Sequence, residues 1–235
     1  MKNILPALFL LLCCAVANAQ TVGDKFGDSH NPFMTVYDVN GKPLSLANTD
    51  IEGTPMLNNN WGKGQVIFAS GRTLKDVPLQ FNIFSNELCF QKDNTTYAFA
   101  EAIKAFRFIY TGDEGGEKNV YFQSGYPAVN NNDGNTYYQV LADGQHFQLL
   151  KLTSKKIREV QLYNGPLKKE YAEVSEYFIY SVQDGKMMSV KMDKSSLAST
   201  LTGYETQVNQ FAAEKKSKLK KEDDVVELIN SLNKS

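Results

Sequence analysis

Residues 64–91 read GQVIFASGRTLKDVPLQFNIFSNELCFQ, and within them Val77, Leu79, Phe81 and Ile83 occupy every second position, with Pro78, Gln80 and Asn82 between. That is the period of a strand that buries one face. Ser85-Asn86 interrupts the pattern, which resumes with Leu88 and Phe90. The spacing predicts two antiparallel strands joined by a tight turn. This run sets the architecture and carries no chemistry of its own.

Outward from it, the same signals recur. Upstream, Phe33–Val39 reads as a strand ending at Asn40-Gly41, a pair that tolerates positive φ. Gly53-Thr54-Pro55 breaks the chain again, and Trp61, the single tryptophan, stands just before the central run, where it is expected to plug a core edge. Downstream, Asp93-Asn94 turns the chain into Thr95–Ala100, and Ile103–Tyr110 alternates through Phe106, Phe108 and Tyr110. Val120–Gln123 is a short strand between two loops, 111–117 and 130–135. Tyr137–Leu141 and His146–Leu152 form a hairpin across Asp143-Gly144, and Tyr177–Val182 pairs with Lys186–Met192 across Asp184-Gly185. Lys155, Lys156 and Arg158 follow the first hairpin. Repeated short turns without strand–helix alternation indicate antiparallel pairing.

The period changes near the end. Leu197, Leu201, Tyr204, Val208 and Phe211 lie on one helical face, with Asp193, Ser195 and Ser196 as cap candidates and Gly203 inside the helix. A second helix over 222–233 presents Val225, Leu228, Ile229 and Leu232. Between them, Lys215, Lys216, Lys218, Lys220 and Lys221 precede Glu222-Asp223-Asp224, an arrangement that complements the two helix dipoles and cancels much of the basic field. The fold class expected is therefore α+β and mainly β: an antiparallel meander over residues 20–192, with a helical pair over 193–235 packed on or beside it.

The first 20 residues have another role. Lys2, an apolar run from Ile4 to Val16 and Ala17-Asn18-Ala19 have the form of an export signal cleaved between Ala19 and Gln20. The run is too short for a membrane span. Cys13 and Cys14 lack the preceding small residue of a lipoprotein site, since Leu12 and Cys13 precede them. Cleavage leaves Cys89 as the one cysteine, so no intramolecular disulfide can staple the fold. A net charge of −1 for the whole chain argues against a general nucleic-acid binder.

Chemistry is sparse. His30 and His146 lie in no metal-ligand spacing, and there is no nucleophile elbow or dinucleotide fingerprint, so no catalytic residue, metal ligand or cofactor is assigned. Asp113, Glu114 and Glu117 make the glycine-rich loop at 112–116 hostile to phosphate. Asn130–Asn135 is dense in oxygen ligands but has neither the spacing nor the closing glutamate of a calcium loop, and it reads as an Asn-rich turn. Asn94-Thr95-Thr96 fits the glycosylation triplet, a pattern common by chance. Cys89 and His146 could pair as nucleophile and base, yet strand alternation favours a buried structural thiol.

Asp76–Phe90 resembles a segment of uncharacterised exported β-rich proteins of Bacteroidetes-type bacteria, and Lys218–Asn230 resembles the closing helix of that group. The resemblance implies a periplasmic, outer-membrane-associated or secreted location and brings no activity with it. Three functions stay open: a non-enzymatic envelope protein binding a ligand or partner on its sheet, of which an acyl carrier is one form by analogy; a secreted hydrolase with dispersed carboxylates; and a structural or adhesion component docking through its C-terminal helices.

Overall fold

The computed structural model describes residues 33–34, 51–112, 115–161, 163 and 165–234. The export signal with its Ala19–Gln20 junction, His30, residues 35–39 of the first expected strand and the Asn40-Gly41 turn lie outside the described residues. The described elements are β1 (Phe33–Met34), β2 (Ile51–Glu52), β3 (Gly62–Phe68), β4 (Thr73–Asn82), β5 (Glu87–Lys92), β6 (Thr95–Phe99), β7 (Ile103–Thr111), β8 (Glu117–Gln123), β9 (Tyr138–Ala142), β10 (Phe147–Gln161), β11 (Leu167–Ser181) and β12 (Lys186–Val190). Three helices follow, α1 (Lys194–Thr200), α2 (Glu205–Glu214) and α3 (Glu222–Leu232). The protein is mainly β, with its helices at the C-terminus. None of these helices is long and apolar enough to cross a membrane.

The sheet runs β1-β6-β5-β4-β3-β7-β8-β9-β10-β11-β12, with β2 added parallel to β11. The expected central pair is β4 and β5, in register Leu79↔Phe90 and Phe81↔Leu88. Their turn is built by Asn82, whose Oδ1 accepts from Phe84 N at 3.0 Å and Ser85 N at 3.1 Å, and by Asn86 at φ 58°. Asx geometry and tolerance of positive φ explain both residues. Asp76, at φ 60°, is left unpaired where the β3–β4 register shifts, so Leu74 and Val77 reach the same face despite their odd spacing. From β3 to β12 consecutive strands pair except where β7 returns from β6 to pair with β3.

The sheet curls around the face bearing Val77, Leu79, Phe81 and Ile83. The Phe81 ring lies 5.1 Å from Phe106 and 5.0 Å from Phe122, and Tyr137 meets Phe81 and Phe106 edge-on. Gly62 and Gly64 permit the close passage of Phe108: a Cβ on Gly64 would lie 2.4 Å from Arg107 O and 2.7 Å from Phe108 Cβ. The curl continues until the β4–β5 turn meets β10, where Lys155 N donates to Ile83 O at 3.3 Å. This contact sets the β4–β5 turn against β10, at the far end of the path β4-β3-β7-β8-β9-β10. The aromatic interior is thus covered by the sheet itself, and no helix residue belongs to its cluster of buried side chains.

The helices cover the other half of the sheet. Leu197, Leu201, Val208, Val225, Leu228, Ile229 and Leu232 pack on Phe147, Leu149, Ile179 and Val190. Asp193 caps α1 by accepting from Ser196 N at 2.9 Å. The single helix expected through Leu197–Phe211 is two, because Gly203 adopts φ +88° and stops the first. The apolar period continues across the break since α1 and α2 both bury the same stripe. Acidic Glu222, Asp223 and Asp224 fill the first turn of α3, as its dipole favours.

The largest departure from the sequence reading is the β10–β11 hairpin, 15 residues on each side, registered from Phe147↔Ser181 to Gln161↔Leu167. Lys155, Lys156 and Arg158 belong to this ladder. Their charges pair across it, Lys155 with Glu173 at 3.0 Å and Arg158 with Glu170, while Glu159 faces Lys169. A strand exposed on both faces has no hydrophobic alternation to betray it.

Candidate functional site

Besides a cleft of about 380 Å³ lined by Lys63, Lys75, Asp76 and Arg107, two cavities adjoin the described sheet. The first, about 460 Å³, lies between the inner face and the start of α3 and is lined by Lys118, Gln139, Lys151, Thr153, Glu173 and Glu222 among others. Its charges are largely satisfied within the protein. Lys151 Nζ donates to Glu222 Oε2 at 2.8 Å, Tyr177 Oη donates to the same oxygen at 2.9 Å, and Lys155 holds Glu173. Burial pulls the Lys151 ammonium down, but the Glu222 hydrogen bond and charge, with Tyr177, outweigh it and leave its pKa raised. Asn58, 4% exposed at the cleft wall, donates Nδ2 to Asn60 O, while its Oδ1 has no partner. This cleft is chiefly the place where α3 is fastened to the sheet.

The second cavity, about 350 Å³, sits at the seam where the β4–β5 turn meets β10. Phe81, Ile83 and Leu152 supply apolar surface. The polar surface comes from the 130–136 loop, from Ser154 and Lys156 on β10, and from Glu176 on β11. Local interactions shape that loop. Asn130 takes φ 53°, Val129 and Asn132 pair as an isolated bridge, and Asp133 Oδ1 accepts from Asn135 N at 2.9 Å. Asn86 ties the loop to the β4–β5 turn by donating Nδ2 to Asn135 O and accepting from Tyr137 N, both at 3.1 Å.

The side chains of Asn130, Asn131, Asn132, Thr136, Ser154 and Glu176 line the seam and make no hydrogen bond or ion pair with another described residue. Tyr138, Leu152 and Glu176 lie on neighbouring strands. The Tyr138 hydroxyl is buried without a partner, and burial, with the charges of Glu176 and Asp133, pushes it up to about 12. It therefore stays a neutral donor. Phe84 projects from the turn at 46% exposure, with Tyr171 edge-on at 5.4 Å.

The residues singled out by sequence fall elsewhere or change meaning. Cys89 is 2% exposed on the face opposite Leu88 and Phe90, and burial pushes its thiol up to about 12. His146 lies in the β9–β10 connection with Nδ1 against Gln183 Nε2 at 3.1 Å, so the two do not form a nucleophile–base pair. Trp61 is half-buried and lines neither cavity. In the lysine run, Lys215 pairs with Glu227 of α3. Among the described residues, no three His, Cys, Asp or Glu side chains gather as a cation site would require. The Asn-rich turn is a turn, as expected, and also a cavity wall. Sequence reasoning missed Phe84, Ser154 and Glu176, which carry no motif and meet only through the curl of the sheet.

No protein-family model, no curated protein and no solved structure matches the chain.

Proposed function

We propose that this is an exported, non-enzymatic protein of the bacterial envelope that binds a small polar ligand in the seam cavity. The observation carrying the proposal is the set of side chains there, Asn130, Asn131, Asn132, Thr136, Ser154 and Glu176, which have no partner among the described residues and stand around an apolar floor. Convergent polar groups over apolar surface are the usual make-up of a ligand site, and about 350 Å³ is at the small end of such sites. Export is supported by the Lys2 to Ala19 pattern and by the resemblance of Asp76–Phe90 to exported proteins.

The competing functions find less support. An acyl carrier needs apolar room, and the interior is filled by Phe81, Phe106, Phe108 and Phe122. A hydrolase needs a working pair of carboxylates, and both that line the cleft, Glu173 and Glu222, are held by lysines. Docking through the helices needs a free apolar face, and theirs is turned into the core.

Two measurements on protein gently purified from its source test the proposal. N-terminal sequencing of the envelope fraction should begin at Gln20; a chain retained in the cytoplasm with Met1 intact would refute export. Native mass spectrometry should show a co-purifying small molecule that is lost when Thr136→Trp fills the seam. A ligand-free wild type, or a ligand retained by that variant with an unchanged circular dichroism spectrum, would refute the site.

A further inference from the structure

We infer that the seam ligand is a saccharide, with one sugar ring against Phe84 and its hydroxyls read by Asn131, Asn132 and Glu176. This rests on the reading of the seam as the ligand site and adds the chemical class. The first support is Phe84. Its phenyl ring, 46% exposed, lines the cavity beside the polar side chains. Its backbone is held by the Asn82 Asx turn and its ring by Tyr171, so the exposed face is presented in a fixed orientation. The C–H face of a pyranose is the apolar surface that matches such a platform while leaving the ring's edge hydroxyls free.

The second support is the hydrogen-bonding inventory. Each asparagine amide offers donors and an acceptor, and a carboxylate accepts at both oxygens. Vicinal hydroxyls, each donor and acceptor at once, satisfy that mixture. Other classes fit less well. A phosphate or dicarboxylate would face Glu176 with Lys156 as the one cation lining the cavity. An acyl chain would bury the unpaired amides and the carboxylate without partners, at a large desolvation cost.

Isothermal calorimetry with defined oligosaccharides, namely maltotriose, xylotriose, chitotriose and laminaritriose, tests the inference. The wild type should bind at least one of them. Phe84→Ala and Glu176→Gln should each weaken that binding roughly tenfold or more, as truncation of a central contact does, with circular dichroism unchanged, and Phe84→Trp should retain it. Failure of all four sugars to bind, or binding indifferent to both variants, overturns the saccharide. If native mass spectrometry then still finds a different small molecule that Thr136→Trp expels, the seam site stands and the sugar assignment alone falls. If it finds none, both fall.

Discussion

Asn233 stands in for a strand beside Phe147. Its Nδ2 donates to Phe147 O at 2.9 Å, while its Oδ1 accepts from Phe147 N at 2.8 Å and from His146 N at 3.1 Å. One side chain thereby satisfies the backbone at the start of β10 and fixes the C-terminal end of α3. Glu222 fixes the other end through Lys151 and Tyr177. The helix is held to the sheet at both termini, with Val225, Leu228, Ile229 and Leu232 buried between.

Asn233→Ala should lower stability by about 2 kcal/mol, because three hydrogen bonds vanish and half-buried backbone groups lose their partner. Gly144 should be equally intolerant of a side chain, since a Cβ there would lie 2.1 Å from the Asn233 Cγ that those bonds immobilise. Urea denaturation monitored by circular dichroism measures both variants. Unchanged midpoints would show that the helix end frays without consequence.

Gly64→Ala should destabilise by about 1–3 kcal/mol through overpacking. The new methyl would meet Arg107 O, Leu79 Cδ1 and Phe108 Cβ, all within 2.7 Å, and two of these belong to a neighbouring strand that cannot retreat without opening the β3–β7 ladder. Gly71 is the internal control. It lies at φ +87° with open space around it, so alanine there should cost only the backbone strain of that conformation, about 1 kcal/mol. A thermal melt that ranks the two the other way would contradict the close packing of Phe108.

Glu222→Ala should cost about 1–2 kcal/mol by stranding the Lys151 ammonium in a half-buried site, a figure reduced for the 21% and 35% exposure of the two side chains. Combining Lys151→Met with Glu222→Leu should recover most of the loss, because no charge is then left without a partner. A double-mutant cycle by denaturant unfolding separates the outcomes. A double variant as unstable as the sum of its singles would mean that the pair has no coupling.

Alkaline pH should unfold the protein. Burial pushes Cys89, Tyr137 and Tyr138 up to about 12, and Tyr126 upward as well. An acid with a raised pKa keeps in the folded state a proton that the unfolded chain releases, so stability falls as pH rises from about 9 toward about 12 and is unaffected below. Lys151, also raised, adds to the loss in the same direction at the upper end of that range. Urea midpoints at about pH 8 and pH 11 should differ, the lower midpoint being at the higher pH. Cys89 should resist alkylation at neutral pH until denaturant is added. Early labelling, or equal midpoints, would place these groups nearer the solvent.

Much of the fold is legible because single-faced burial writes its period into the chain. Val77 to Ile83, Leu88 and Phe90 declare β4 and β5, and the Asp-Gly pairs declare the turns after β9 and β11. The spacing of Val225, Leu228, Ile229 and Leu232 declares α3. Where a signal averages over two elements it misleads, as the apolar stripe running through Gly203 does. Where a strand is wet on both faces, as β10 and β11 are beyond Lys155, it has no signal at all.

The candidate site was not legible, and the reason is physical. Phe84, Asn131 and Glu176 belong to a turn, a loop and a strand far apart in the chain, and nothing local to any of them refers to the others. Local periodicity therefore settled strand, helix and buried face where one face is buried, as in β4, β5 and α3. Only the curl that carries Ile83 onto Lys155 decided that the aromatic face closes on itself instead of waiting for the helices, and that an Asn-rich turn becomes the wall of a cavity. Burial period is a short-range property of the chain; closure of a sheet depends on the packing of all its strands at once.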